Sequence, residues 1–99
     1  MEGEIMLIVI DFDGTYTNDP ALWDAFIKMA KENYHEVFCA TMRYEDTEGD
    51  LVKKCLEGKV DRIIFTNRLG KIAEVRKQTG RNPDIWIDDD PAWLFDDAI

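Results

Sequence analysis

Two aspartates, Asp11 and Asp13, stand directly after an apolar run that covers residues 5–10. Carboxylates beside an apolar strand lose part of their hydration, and at this spacing they also repel each other. Protons or a cation must compensate that cost for the arrangement to be stable. The pair therefore indicates a functional site rather than an ordinary turn.

A second acidic cluster, residues 88–90, follows another apolar stretch. If the strands before the two clusters are neighbours, up to five carboxylates share one crevice, and their repulsion calls for a cation. Mg²⁺ is the natural partner, because it binds one or two carboxylates together with phosphate oxygens and water. The alternative, a turn that caps a helix, applies best to Asp90, which precedes Pro91 and would open a closing helix.

Short apolar runs alternate with helical patterns along the chain. Strands are predicted over residues 5–10, 36–40, 62–65 and 84–87, and a helical pattern follows each of them. This order predicts an α/β fold: a Rossmann-like three-layer sandwich with a short, mainly parallel sheet of about four strands. We expect the strand order 3-2-1-4, which would make the strands before the two acidic clusters neighbours. Ligands of such sheets bind beyond the carboxyl ends of the strands, where both acidic clusters lie.

Local signals predict where the helices begin. Asn18 or Asp19 would cap the first helix before Pro20. Thr47 with Asp50 three residues later resembles a capping box that opens the second.

Composition limits the classes of function. The 99 residues are expected to form one domain, 1–99, and the net charge of −9 opposes sequence-independent coating of DNA or RNA. Glu2 and Glu4 stand where a signal peptide would be cationic, and no apolar run could span a membrane, so a cytoplasmic location is expected. Cys39 and Cys55 fit no zinc spacing and are expected to be reduced thiols.

The motifs together resemble those of haloacid dehalogenase (HAD)-like phosphohydrolases. Residues 11–15 (DFDGT) match the first motif of that family without departure. Thr41 after the second strand, Lys71 at the start of a helix, and residues 85–89 (IWIDD) are similar to its second, third and fourth motifs. The first motif is specific, whereas the second and third carry weight through their order and spacing.

This resemblance implies a Mg²⁺-dependent phosphomonoesterase that works through an aspartyl-phosphate intermediate. Asp11 would be the nucleophile, and Asp13 would be the general acid and then the general base. Thr41 would donate its hydroxyl to a phosphoryl oxygen. Lys71 would neutralise phosphoryl charge and orient Asp11, with Arg68 as the competing candidate for that task.

The resemblance also implies how Mg²⁺ would be bound. Its ligands would be Asp11, the backbone carbonyl of Asp13, and Asp88 or Asp89, between which the sequence does not decide. The ion would bridge the nucleophile and a phosphoryl oxygen and would screen their repulsion.

Three further residues are expected to contact a phosphorylated substrate. Backbone N–H groups of Phe12 and Gly14 would complete the phosphate cradle. Arg43, two residues after Thr41, suits bidentate phosphate contact and resembles the nucleic-acid-end phosphatases of the superfamily. The net charge favours a nucleotide or another small phosphomonoester instead, so the 3′-phosphate end of a nucleic acid stays an alternative substrate.

The chain departs from the family pattern in size. The residues between Gly14 and Pro20 leave room for only a minimal flap, and no cap domain is expected. The site would then be open to a bulky substrate or covered by another subunit. The short sheet also favours association into a homo-oligomer.

Two other functions use similar residues. A phospho-receiver also places aspartates, a threonine and a lysine at strand ends, but its phosphorylated aspartate ends a strand near the middle of the chain, where this sequence has none. A phosphate-binding or regulatory protein could keep the same residues and turn over slowly.

Overall fold

The computed structural model describes residues 3–99; Glu2, cited above against a signal peptide, lies outside them. Four parallel strands form one sheet in the order β3-β2-β1-β4, which confirms the predicted α/β fold and strand order. The strands are Leu7–Asp11 (β1), Glu36–Thr41 (β2), Arg62–Phe65 (β3) and Ile85–Ile87 (β4). The helices are Pro20–Glu32 (α1), Glu45–Glu48 (α2), Asp50–Leu56 (α3) and Lys71–Thr79 (α4), and 3₁₀ turns cover Tyr16–Asn18 and Pro91–Leu94.

Strand β1 is buried on both faces, which makes the architecture a three-layer sandwich. Ile8 and Ile10 point to the layer that contains α1 and α3. Leu7 and Val9 point to the opposite layer, where they join the same buried cluster as Val75 of α4. Successive side chains of a strand alternate between faces, so a central parallel strand needs apolar residues at every position.

The first α-helix begins where local signals predict, and a glycine ends the last one. Asp19 caps α1 and accepts a hydrogen bond from the Leu22 N–H at 3.1 Å, with Pro20 as the first helical residue. Gly80, with φ of +72°, ends α4 in the left-handed conformation that favours glycine. Lys71 is the first residue of α4.

The predicted capping box of Thr47 and Asp50 is wrong. Thr47 lies inside α2, and α3 begins after Gly49 without a side-chain cap. The chain turns so tightly at Gly49 that an added Cβ would lie 2.5 Å from the Glu45 carbonyl oxygen. This turn divides the expected single helix into two.

The predicted closing helix is a single 3₁₀ turn, Pro91–Leu94. The residues beyond it bind to the loop before α4 instead of continuing a helix. Asp97 accepts a hydrogen bond from the Gly70 N–H at 2.7 Å, and the Ala98 N–H donates to the Arg68 carbonyl at 2.7 Å.

The connection from β1 to α1, residues 12–19, contains one 3₁₀ turn, and residues 3–99 include no cap domain. Cys39 and Cys55 both carry free thiols, and burial raises the pKa of the Cys39 thiol. Within the described residues, every helix is too short or too polar to cross a lipid bilayer.

Candidate active site

The register of the sheet brings the two acidic clusters together. Ile10 of β1 lies beside Ile87 of β4, so Asp11 and Asp88 are the next residues at the carboxyl edge of neighbouring strands. Asp11, Asp88 and Asp89 each offer one carboxylate oxygen, and these oxygens lie within 4.8 Å of one another. We call these three residues the aspartate cluster.

Lys71 supplies a positive charge to the aspartate cluster. Its ammonium group is buried, donates a hydrogen bond to Asp11 Oδ1 at 2.7 Å, and also donates to Asp88 Oδ2. Burial by itself would lower the pKa of Lys71, but the charges and hydrogen bonds of the two carboxylates outweigh it and hold the pKa above its usual value. Lys71 is therefore a permanent cation between two acids.

Asp11 titrates far from the usual range of an aspartate. Burial raises the pKa of its carboxyl group to about 7, against the opposing effect of Lys71. A hydrogen bond with Asp11 holds the pKa of Asp89 below its usual value. Without a metal ion, the two carboxyl groups are therefore suited to share a proton near neutral pH.

Thr15 links Asp11 to Asp89, a role that sequence reasoning missed. Its Oγ1 lies 3.1 Å from Asp11 Oδ2 and 3.1 Å from Asp89 Oδ1, and it accepts the Asp89 N–H at 3.1 Å. Its single proton can serve one carboxylate at a time. The signal was present in the sequence, because Thr15 is the last residue of the DFDGT motif.

Gly14 permits the close approach of the aspartate cluster to the loop after β1. Its φ is +84°, and an added Cβ would lie 2.5 Å from Asp89 Oδ2. Its N–H, which was expected in a phosphate cradle, donates to Thr17 Oγ1 at 3.0 Å. The side chain of Phe12 is fully buried and stacks on Tyr16, so only its backbone can face a ligand.

Asp13 does not join the aspartate cluster through its carboxylate. It forms a bidentate pair with Arg43, at 2.9 Å to Nε and 2.8 Å to Nη2, and 55% of its side chain is exposed. We call Asp13 and Arg43 the outer ion pair. The same guanidinium donates to the Glu48 carbonyl at 2.9 Å and lies over the Phe12 ring at 5.2 Å. Hydrogen bonding to Asp13 raises the pKa of Arg43.

Thr41 ends β2 and makes no side-chain hydrogen bond to the aspartate cluster. It is buried, and its Oγ1 accepts the Arg43 N–H at 3.3 Å. Thr41 is also absent from the residues that line the cavity above the aspartate cluster. In this structure Thr41 positions the backbone of Arg43.

A cavity of about 290 Å³ opens above the aspartate cluster, and Asp13, Arg68 and Trp93 also line it. Lys71 and Arg68 were the two candidates for contact with Asp11, and Lys71 makes that contact. The Arg68 guanidinium instead pairs with both carboxylate oxygens of Glu48 at 2.9 Å.

The donor set fits Mg²⁺. In an octahedral Mg²⁺ site with bonds of about 2.0–2.1 Å, opposite ligand oxygens lie about 4 Å apart. The three carboxylate oxygens lie within 4.8 Å of one another, which is close to that spacing. The cluster carries three acidic groups against the single charge of Lys71, so a divalent cation would relieve the excess negative charge.

Comparisons with protein-family models, with curated proteins and with solved structures give no match to this chain.

Proposed function

We propose that this protein is a Mg²⁺-dependent phosphomonoester hydrolase that forms an aspartyl-phosphate on Asp11. The observation that supports it best is the contact of Lys71 with Asp11 and Asp88 beside Asp89. These residues come from three separate parts of the chain, and a buried carboxylate, a buried cation and further acids meet where a parallel sheet binds ligands.

The proposed reaction has two displacement steps. First, an Asp11 oxygen bonds to phosphorus, the bond from phosphorus to the alcohol oxygen breaks, and Asp13 gives that oxygen a proton. Water then attacks the phosphorus, and Asp13 takes a proton from the water. The bond between phosphorus and Asp11 breaks, and inorganic phosphate leaves.

Mg²⁺, held by the aspartate cluster with the Asp13 carbonyl as a further candidate ligand, would supply charge neutralisation to the phosphoryl group. Lys71 keeps Asp11 oriented and offsets its charge as the phosphate approaches. Metal binding requires ionised ligands, so it would also displace the proton that the raised pKa of Asp11 retains.

Arg43 connects substrate binding to the acid–base step. Its bidentate pair with Asp13 leaves the carboxylate bound to a cation. A phosphate oxygen can replace Asp13 as the partner of Arg43, since guanidinium binds both groups in the same planar geometry. The exchange would free Asp13 to move a proton.

A phosphate-release assay with a nucleoside monophosphate, with and without Mg²⁺, tests the proposal. Wild-type protein is expected to release phosphate only with Mg²⁺, and Asp11→Asn is expected to release none. Asp46→Asn, which neutralises an exposed aspartate, serves as the matched control and is expected to retain activity. Equal release by wild type and Asp11→Asn would refute the proposal.

The second candidate is a phosphate-binding protein with slow turnover. The outer ion pair and the occupied Gly14 N–H favour it, because both hold groups that a fast hydrolase would use. Binding of a phosphomonoester without its hydrolysis would support this function instead. The substrate proposed for either function is a nucleotide or another small phosphomonoester, with the 3′-phosphate end of a nucleic acid as the alternative.

A further inference from the structure

Trp93 differs from the other two tryptophans of the chain. Trp23 packs edge-on against Phe26, with ring centroids 5.7 Å apart, and joins the cluster between the sheet and α1. Trp86 packs against the cluster below α4. Among the described residues, Trp93 belongs to neither cluster; it is half-buried and lines the cavity above the aspartate cluster.

The segment that carries Trp93 is a hydrogen-bonded turn whose C-terminal residues bind the loop before α4. The Trp93 N–H donates to the Asp90 carbonyl at 3.1 Å, and the Asp96 N–H donates to the Ala92 carbonyl at 2.8 Å. Further on, Asp97 binds the backbone of the loop before α4. Trp93 therefore lines the cavity from a segment whose backbone is held by hydrogen bonds.

Arg68 lines the same cavity from the loop before α4. Its φ is +70°, and that of Asn67 is +54°, a costly conformation for two consecutive residues that are not glycine. Nη2 of its guanidinium donates to both carboxylate oxygens of Glu48 at 2.9 Å, and Nη1 donates to the Met42 carbonyl at 3.5 Å. The guanidinium also lies over the Tyr44 ring at 5.1 Å. These contacts hold a cation at the rim of a cavity whose other charged groups are mainly carboxylates.

We infer that Trp93 and Arg68 form the subsite for the leaving group, and that this group is a nucleotide which carries a second phosphate. The inference rests on the proposed hydrolysis at Asp11. An indole face binds a planar base by stacking, and a guanidinium binds a phosphate through charge-assisted hydrogen bonds. A polyol phosphate would need hydrogen-bonding side chains on this wall instead of an indole.

A free nucleoside bisphosphate and the phosphorylated end of an oligonucleotide share this chemistry. The volume of about 290 Å³ is near the lower limit for ligand sites, which suits one nucleotide. Adenosine 3′,5′-bisphosphate and a 3′-phosphorylated dinucleotide therefore serve as the two probes. Adenosine 3′-monophosphate lacks the second phosphate, and glycerol 2-phosphate lacks both recognised groups.

The test compares kcat and KM for these substrates in Trp93→Ala, Trp93→Phe and Phe95→Ala. Phe95 is 73% exposed on the same segment and is the matched control. Trp93→Ala is expected to raise KM for the nucleotides about tenfold, with glycerol 2-phosphate changed by less than about twofold. Trp93→Phe should retain most of the affinity, and Phe95→Ala should behave as wild type.

Arg68→Met tests the second phosphate, with Arg62→Met as the control on an exposed arginine. Arg68→Met is expected to abolish the preference for the bisphosphate over the monophosphate, and Arg62→Met is expected to retain that preference. Preference for the dinucleotide over the free bisphosphate would identify nucleic-acid ends as the source, and the reverse would identify free nucleotides. Equal losses on glycerol 2-phosphate and nucleotides, or no loss in Trp93→Ala, would overturn the inference.

Equilibrium dialysis separates this inference from the proposed reaction. If wild-type protein releases phosphate from none of the four compounds, the hydrolase proposal fails while the subsite stays testable. Adenosine 3′,5′-bisphosphate is then dialysed against wild type and Trp93→Ala in Mg²⁺. Binding that Trp93→Ala weakens about tenfold supports the subsite, and absence of binding to wild type refutes it.

Discussion

The aspartate cluster with Lys71 and the outer ion pair, whose Asp13 lines the same cavity, are both contacts between acids and bases, yet their surroundings differ. The side chains of Lys71 and Asp11 are 3% and 7% exposed, whereas those of Arg43 and Asp13 are 22% and 55% exposed. Buried charges lose hydration and depend on each other, while exposed charges can exchange partners with water and ligands. The buried group is thus suited to hold a fixed geometry, and the outer pair is suited to change partners, as the proposed reaction requires.

The largest effect on stability is expected for Lys71→Met. The substitution leaves Asp11 and Asp88 facing each other without their cation, and removal of one partner from a buried pair costs about 3–5 kcal/mol. Urea unfolding in EDTA measures the loss, and Mg²⁺ should restore part of it. Lys53→Met, which removes an exposed pair with Glu45, is the control and should change stability far less. Equal effects of the two variants would contradict the buried role of Lys71.

The pH dependence of stability should come next. Because burial raises the pKa of Asp11 to about 7, the folded state binds a proton more tightly than the unfolded state does. The free energy of unfolding should therefore fall as pH rises from about 4.5 to 7, by on the order of 3 kcal/mol. Denaturant titrations in EDTA measure this slope. Asp11→Asn should flatten it, and Mg²⁺ should oppose it by binding the ionised form; a slope that persists in Asp11→Asn would assign it to other groups.

The variants Gly14→Ala and Gly58→Ala separate the cost of a steric contact with Asp89 from the cost of a left-handed backbone conformation. Gly14 and Gly58 have nearly equal φ of +84° and +85°, but only at Gly14 would a Cβ meet a side chain, Asp89. Gly58→Ala should cost about 1 kcal/mol for the left-handed backbone, and Gly14→Ala about 1 kcal/mol more. Thermal unfolding of both variants checks the difference. Equal losses would mean that Asp89 moves aside without cost.

The smallest effect is expected for the outer ion pair. A double-mutant cycle of Asp13→Asn and Arg43→Met should give a coupling energy below about 1 kcal/mol, since an exposed ion pair gains little net energy. The same cycle with Asp11→Asn and Lys71→Met should give a clearly larger value. Similar values in the two cycles would remove the distinction between the two regions.

Local pattern was enough to predict the fold because each step of the prediction depends on neighbouring residues. The unbroken apolar run before Asp11 indicated a central parallel strand, and Asp19 with Pro20 marked the start of α1. Where local signals competed, prediction failed: Gly49 divides the helix that Thr47 was expected to open. Prediction also failed after Leu94, because these residues bind the loop before α4, which is distant in sequence, instead of continuing a helix.

The sequence by itself determined that both acidic clusters lie at the carboxyl edge of one parallel sheet, because alternating apolar runs and helical patterns produce parallel strands that all end at that edge. Asp11, Asp88 and Asp89 were predictable on that basis, whereas Lys71 was predicted from the motif resemblance, with Arg68 as its competitor. The structure added the register that places Asp11 beside Asp88. Only the tertiary structure decided which side chains pair. Asp13 pairs with the Arg43 guanidinium, and Thr41 accepts a hydrogen bond from the Arg43 N–H. Thr15 bridges Asp11 and Asp89. Such pairings depend on side-chain conformation and on burial by distant residues, and residue spacing specifies neither.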